Sequence, residues 1–246
     1  MPGKREENYS KIASIYQHLM RKVNYDVWAE YLFMILHPYV KTNPRVIEIA
    51  GGEGSIAFYL QKEYGSYVLT DLSHAMLNIS ETDLPKVACD VRALPFKSKF
   101  DLALMIFDSI NYLLTKKDLE TAFTTISSIL APGGLFAFDA SLAENSKKHI
   151  APHIEHKKVD DYKYTHTSAF NPITKIHKNH FVVTDPEGNE YTELHRQRIY
   201  SQEDFFIAIE KSGLYVVACY DCFTMNKPRI NSKRIQFILK KVNKNA

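Results

Sequence analysis

Apolar residues recur at three- and four-residue spacing twice near the start of the chain: Ile12, Ile15, Tyr16 and Leu19, then Trp28, Leu32, Ile35 and Leu36. That is the period of one helix face, and it predicts helices over residues 9–22 and 25–40. After Pro44 the period changes to short apolar runs. Strands are predicted over 45–50, 67–71, 86–90, 100–107 and 135–140. Helices are predicted between them at 54–63, 73–80 and 118–130, the last stopped by Ala131-Pro132-Gly133-Gly134. The 100–107 run is continuously apolar after Asp101, as expected of a strand covered on both faces. Alternation of this kind implies an α/β fold with a doubly wound, mostly parallel sheet.

From about residue 149 to 200 the pattern becomes polar-alternating and extended. It predicts an inserted three-stranded antiparallel meander over 163–171, 174–185 and 191–200, separated by Asn171-Pro172 and by Asp185-Pro186-Glu187-Gly188-Asn189. Ser201-Gln202-Glu203-Asp204 then opens a helix with a capping-box pattern, and Gly213 closes it. Strands over 214–223 and 234–241 complete a seven-stranded sheet whose last strand is antiparallel. The expected divisions are an N-terminal helical lid (1–42), an α/β core (43–148), an inserted antiparallel β subdomain lying over the carboxyl edge of the sheet (149–200), and a return to the core (201–246).

Composition narrows the class. The 246 residues are 45% hydrophobic and 24% charged, which excludes a disordered or fibrous chain. The longest apolar run, 214–220, is far short of the roughly 20 residues a membrane-spanning helix needs. No apolar segment backs the charged N-terminus, and three cysteines are too few for a disulfide framework, so a cytoplasmic protein is expected. Net charge is +3, but residues 226–246 carry seven basic residues and no acidic one. Without an aromatic platform beside it, this run reads as a solvated edge strand guarded by lysines rather than a nucleic-acid contact. No nucleic acid or membrane partner is expected, and the chain is expected to be a monomer or homodimer.

The most informative segment is Val46-Ile47-Glu48-Ile49-Ala50-Gly51-Gly52-Glu53-Gly54-Ser55, a buried strand ending in an acid, then a glycine-rich turn into a helix. Such a turn lets backbone approach a ligand closely, and the helix start offers free N–H groups. Gly52-x-Gly54-x-x-Ala57 also fits a dinucleotide pattern, with Asp71 about twenty residues on. Glu48 argues against it, because a pyrophosphate would meet a repulsive charge there. An S-adenosylmethionine binder has an ammonium group to place against that acid. Glu48, Asp71 and Asp90 would end three neighbouring strands at the carboxyl edge, where such folds bind ligands.

On these residues the chain resembles class I S-adenosylmethionine-dependent methyltransferases almost end to end. Glu48-x-Ala50-x-Gly52-x-Gly54 is similar to the family's acidic glycine loop, with alanine at its first glycine. Thr70-Asp71-Leu72-Ser73-His74-Ala75-Met76 and Cys89-Asp90-Val91-Arg92 resemble its second and third motifs, and Phe107-Asp108-Ser109-Ile110-Asn111-Tyr112 with Pro132-Gly133-Gly134 completes the pattern. The likeness implies a Rossmann-like core that binds S-adenosyl-L-methionine through Glu48, Ala50, Gly51, Gly52, Gly54, Asp71, Leu72, Met76, Asp90, Val91 and Phe107. Asp71 would hold the ribose hydroxyls and Asp90 would meet the adenine amine. Within the class the chain most resembles the branch with an antiparallel insertion, which includes glycine and amino-sugar N-methyltransferases. Ile15-Tyr16-Gln17 and Tyr25-Asp26-x-Trp28 resemble that branch, although relatives usually carry Asp where Gln17 stands. Tyr9, Tyr16, Tyr25 and Trp28 are then candidate lid aromatics favouring a cationic donor.

The implied activity is methyl transfer to a small molecule, with nitrogen favoured. Acceptors of RNA or protein, a nicotinamide oxidoreductase and a non-catalytic adenosylmethionine-binding regulator are the alternatives. The acceptor site is expected between residues 108–112 and the insert. Catalytic candidates are Asp108, Tyr112 and His195, the last as base; Ser109, Asn111, Arg198 and Tyr200 are substrate-binding candidates. His195 and Arg198 would face opposite sides of an extended strand, so only one should reach the acceptor. No metal is expected. His149, His153 and His156 have helical spacing, but Pro152 breaks a helix there. Cys219 and Cys222 would point to opposite faces of one strand. Tyr112-x-x-x-Lys116 imitates a dehydrogenase pair but follows a strand rather than lying in a helix.

Overall fold

The computed structural model describes residues 13–159 and 161–243. Tyr9 and the start of the first predicted helix lie outside them. Two helices, α1 (Ala13–Met20) and α2 (Tyr25–Leu36), precede the alternating core. The core runs β1 (Arg45–Glu48), α3 (Ser55–Leu60), β2 (Ser66–Asp71), α4 (His74–Asn78), β3 (Lys86–Ala88), β4 (Phe100–Met105), α5 (Lys116–Ile129) and β5 (Leu130–Ser141). After the one-turn α6 (Ala143–Ser146) come four inserted strands, β6 (His153–Val159), β7 (Tyr162–Asn171), β8 (Ile176–Thr184) and β9 (Glu190–Arg198). The chain returns through α7 (Gln202–Glu210), β10 (Leu214–Asp221) and β11 (Arg234–Lys241).

The main sheet has seven strands in the order β10-β11-β5-β4-β1-β2-β3. β11, the last strand, alone runs opposite to the other six, as the sequence pattern predicts. Burial on both faces explains the unbroken apolar runs. One face carries Ile47, Phe136 and Phe138 against Phe123 of α5 and Phe205 of α7. The other carries Val46, Leu69, Leu102 and Leu104 against Leu32 and Ile35 of α2 and Leu60 of α3. Because side chains alternate along each strand, Cys219 packs on the first face and Cys222 on the second, so the two thiols do not meet.

Four expectations need correcting. The insert is a four-stranded sheet, β6-β7-β8-β9, not three. Its extra strand contains His153 and His156, so those histidines lie on extended chain, outside the predicted meander. The basic C-terminal run is not a solvated edge: β11 lies between β10 and β5 and its centre is buried. Two of its cations are drawn inward, Arg234 to Asp139 and Lys241 to the Leu130 carbonyl. β5 starts at Leu130, not Leu135, because Pro132-Gly133-Gly134 forms a bulge within it where the β4–β5 register shifts. No helix among the described residues is long and apolar enough to cross a membrane.

Candidate cofactor and acceptor site

A cavity of about 500 Å³ opens at the carboxyl ends of β1, β2 and β4. Its floor is the loop after β1. There Ala50, Gly52 and Gly54 all adopt positive φ (54°, 59° and 82°), which brings backbone N–H groups round towards β2. Gly51 N–H donates to the Thr70 carbonyl and Gly52 N–H to Asp71 Oδ2, at 2.9 and 2.8 Å. A Cβ on Gly51 would sit 2.5 Å from Leu69 Cδ1 and 2.9 Å from Glu48 Cγ, so only glycine fits without displacement. Ala50 holds the left-handed conformation that the family resemblance assigns to glycine, at a cost of about 1–2 kcal/mol.

Acids from three strand ends meet this cavity. Glu48 is 2% exposed and accepts a 2.6 Å hydrogen bond from Tyr67 Oη. Burial raises its pKa to about 7, opposed by the Tyr67 hydroxyl and reinforced by the charge of Asp71. Asp71 accepts from Ser73 N–H at 2.7 Å as well as from Gly52, and burial holds its pKa above the ordinary carboxylate value despite those donors. Ser73 caps α4, which sets Met76 into the cavity wall. Asp90 is engaged more fully than the sequence suggests. Arg92 grips its two oxygens through Nε and Nη2 (2.9 and 2.5 Å) and reaches Asp118 Oδ1 at 2.8 Å. Arg92 and Asp118, both lining the cavity, were not candidates. The basic residue two places after the acid was the only local sign.

Of the other cofactor candidates, Ala50, Gly51, Gly52, Leu72, Val91, Phe107 and Tyr16 line the cavity. Gly54 does not; its place is the left-handed N-cap of α3. Trp28 does not either, because it lies behind Phe107, 4.6 Å between centroids, while Tyr25 meets the Phe107 ring edge-on and lines the cavity itself.

The acceptor candidates separate sharply. Ser109 and Tyr112 line the cavity. Asp108 does not: its positive φ (47°) turns the carboxylate to Arg234, 3.3 Å away. Its N–H meanwhile donates to buried Asp139, whose pKa burial raises to about 6 although Arg234 pulls it down. Asn111, fully buried, spends its amide on the Ser141 backbone and the Arg198 carbonyl, clamping the insert to the core. Tyr200 Oη donates to the carbonyls of Leu113 and Thr115, and Arg198 reaches the Leu114 carbonyl. These three hold the insert in place rather than line the cavity.

Strand parity decides the rest. Glu193, His195 and Gln197 face the buried side of β9, whereas Leu194 and Arg196 line the cavity. Nothing local marks those two, because which face of β9 is buried depends on how the strand docks on the core. His195 is 2% exposed and meets the cavity-lining Tyr112, whose Oη lies 3.1 Å from His195 Nδ1. Lys116 pairs with Asp204, away from Tyr112. Among the described residues no group of three His, Cys, Asp or Glu side chains is arranged to hold a metal ion.

Residues 46–134 match the family model described as a methyltransferase domain. YqeM of Bacillus subtilis, itself named only provisionally as a methyltransferase, is 25% identical over 93% of this chain and 95% of its own. The dTDP-3-amino-3,4,6-trideoxy-alpha-D-glucopyranose N,N-dimethyltransferase of Streptomyces venezuelae is 24% identical over 70% of this chain and 75% of its own. Among solved structures, an S-adenosylmethionine-dependent methyltransferase from Clostridium acetobutylicum superposes with a TM-score of 0.81 at 23% identity, over 95% of this chain and 99% of that one. The glycine loop between acid-ended strands thus lies in residues 46–134, the part of the chain that is a methyltransferase domain, within a fold shared with solved S-adenosylmethionine-dependent methyltransferases.

Proposed function

We propose that the chain methylates a small molecule at nitrogen. The observation that carries this reading is the cavity itself: about 500 Å³, lined by the glycine loop together with Tyr16, Tyr112, Leu194 and Arg196. That volume suits a nucleoside-sized cofactor and a compact acceptor. The S. venezuelae relative is named for an amino-sugar substrate, and the structure of a sugar N-methyltransferase from Streptoalloteichus has the same fold (TM-score 0.75, 18% identity, 92% and 91% covered).

The residues present fit S-adenosylmethionine. A buried carboxyl in the wall, Glu48, suits an ammonium; Asp71 suits the ribose hydroxyls; and Asp90, carrying Arg92, closes the adenine end beside Val91 and Leu72. When bound, the cofactor supplies a methyl group on a sulfonium. The protein then contributes orientation and exclusion of water, with Tyr16, Tyr25 and Phe107 offering aromatic faces to a cationic donor. The test is radiolabelled donor presented to a panel of small amines and hydroxy compounds beside bulk tRNA and protein. Label on an amine is expected. Label on tRNA, protein or hydroxyl acceptors alone would overturn the reading.

A further inference from the structure

We propose that Glu193 and His195 are positioning residues that make the Tyr112 hydroxyl a proton acceptor for the methylated substrate, a role that rests on the nitrogen-methylation reading. The three side chains form a line. Glu193 Oε1 lies 2.9 Å from His195 Nε2, an ion-pair distance not aligned as a hydrogen bond, and His195 Nδ1 is hydrogen-bonded to Tyr112 Oη at 3.1 Å. Glu193 and His195 are 5% and 2% exposed, while Tyr112 lines the cavity. The line therefore runs from a buried carboxylate out to a hydroxyl at the reacting space.

The carboxylate charge 2.9 Å from Nε2, rather than an aligned hydrogen bond, favours the imidazole proton on that nitrogen, which leaves Nδ1 as an acceptor. Tyr112 then donates its hydroxyl hydrogen inward and presents oxygen lone pairs to the cavity. Phe181 meets the His195 ring edge-on at 5.6 Å and helps fix its plane. Burying an acid and a histidine together is costly, and an apolar pair would pack β9 as well. The neighbouring histidines of this sheet make contacts that stay within the insert or reach only α6: His166 with Asn179, and His177 with Ser168 and Ser146. The line through His195 ends on a cavity residue instead.

In the reaction the acceptor nitrogen's lone pair forms the C–N bond as the C–S bond breaks, its electron pair leaving with sulfur. The product ammonium sheds one proton to Tyr112 Oη while the Tyr112 proton passes to His195 Nδ1. The resulting imidazolium lies against the Glu193 carboxylate and returns its proton to solvent as product leaves. Positioned proton transfer of this kind is worth on the order of 100-fold or more in rate.

Two measurements on the full chain decide it. In protein labelled with 15N-histidine, with His195 assigned by the spectrum of His195→Asn, Nε2 should carry the proton. Tyr112→Phe should shift the His195 Nδ1 resonance. A protonated Nδ1 would overturn the proposal, because His195 could not then take the Tyr112 proton. With an amine acceptor found by the panel, Glu193→Gln and Tyr112→Phe should each lower kcat on the order of 100-fold, with donor KM and S-adenosylhomocysteine affinity unchanged. The double variant should be no worse than Tyr112→Phe, since Glu193 acts through it. Multiplying losses, or lost S-adenosylhomocysteine binding in Glu193→Gln, would overturn it. If no amine is methylated, the nitrogen reading fails by itself, and the proton-relay role fails with it even where the tautomer is as expected.

Discussion

Replacing Glu48 with glutamine should make the protein more stable and its cofactor binding weaker. Glu48 is 2% exposed, and its pKa rises from 4.5 to about 7, chiefly through burial. The folded state therefore holds this proton more tightly than the unfolded chain does. The carboxyl's contribution to stability is complete below pH 4.5 and is lost as pH climbs to about 7. At roughly 1.36 kcal/mol per pKa unit, the cost of ionised Glu48 grows from below about 1 kcal/mol at pH 5 to about 3 kcal/mol at pH 8. Glutamine keeps an oxygen to accept from Tyr67 without the charge. Urea unfolding of Glu48→Gln against the parent at pH 5, 6, 7 and 8 should give curves that diverge upward with pH, and about 3 kcal/mol corresponds to a Tm gain of roughly 6–12 °C at this chain length. Affinity for S-adenosylhomocysteine at pH 8 should fall tenfold or more, because a charge-assisted bond to the ammonium is worth about 1.5–3 kcal/mol. Parallel stability curves, or a variant less stable at pH 8, would refute the reasoning that burial sets this group's proton affinity.

Ala50→Gly removes left-handed strain of about 1–2 kcal/mol and adds about 0.5–1 kcal/mol of chain entropy, so thermal unfolding should show a gain below about 1.5 kcal/mol. Gly51→Ala forces Leu69 and Glu48 to shift, which should cost about 1–3 kcal/mol in urea unfolding and weaken S-adenosylhomocysteine binding. Asn111→Ala strands the Ser141 and Arg198 backbone groups it satisfies. It should cost about 2–4 kcal/mol and raise amide exchange in β9 before the main sheet opens.

Most of the core was legible because its strands are buried on both faces, and the resulting apolar runs alternate with helix-period segments. Glu48 and Asp71 were legible for the same reason, since each closes such a run, whereas Asp90 follows the short, largely exposed β3. β6 was not, because almost all of His153–Val159 is exposed or half-exposed, leaving no alternation to read. The basic run of β11 looked solvated because charge alone does not reveal that Arg234 meets Asp139, nearly a hundred residues earlier, inside the sheet. The same long-range pairing removed Asp108 from the cavity. In β9 the sequence showed that His195 and Arg198 differ in parity, but not that Leu194 and Arg196 take the cavity face; that depends on how Asn111 and Tyr200 dock the strand.

The central claim is that this cavity binds an adenosyl sulfonium cofactor through the glycine loop and the acid ending β2. Calorimetric titration of S-adenosylhomocysteine and of NAD into the parent and Asp71→Ala tests it most directly. Asp71 carries the Gly52 N–H and should also receive the ribose hydroxyls, so its loss should weaken S-adenosylhomocysteine binding by about ten- to a hundredfold, at roughly 1.5–3 kcal/mol for a charged hydrogen bond. The parent should bind S-adenosylhomocysteine with one site and give no heat with NAD. Equal affinity in a folded Asp71→Ala protein, or binding of NAD in preference, would contradict the account.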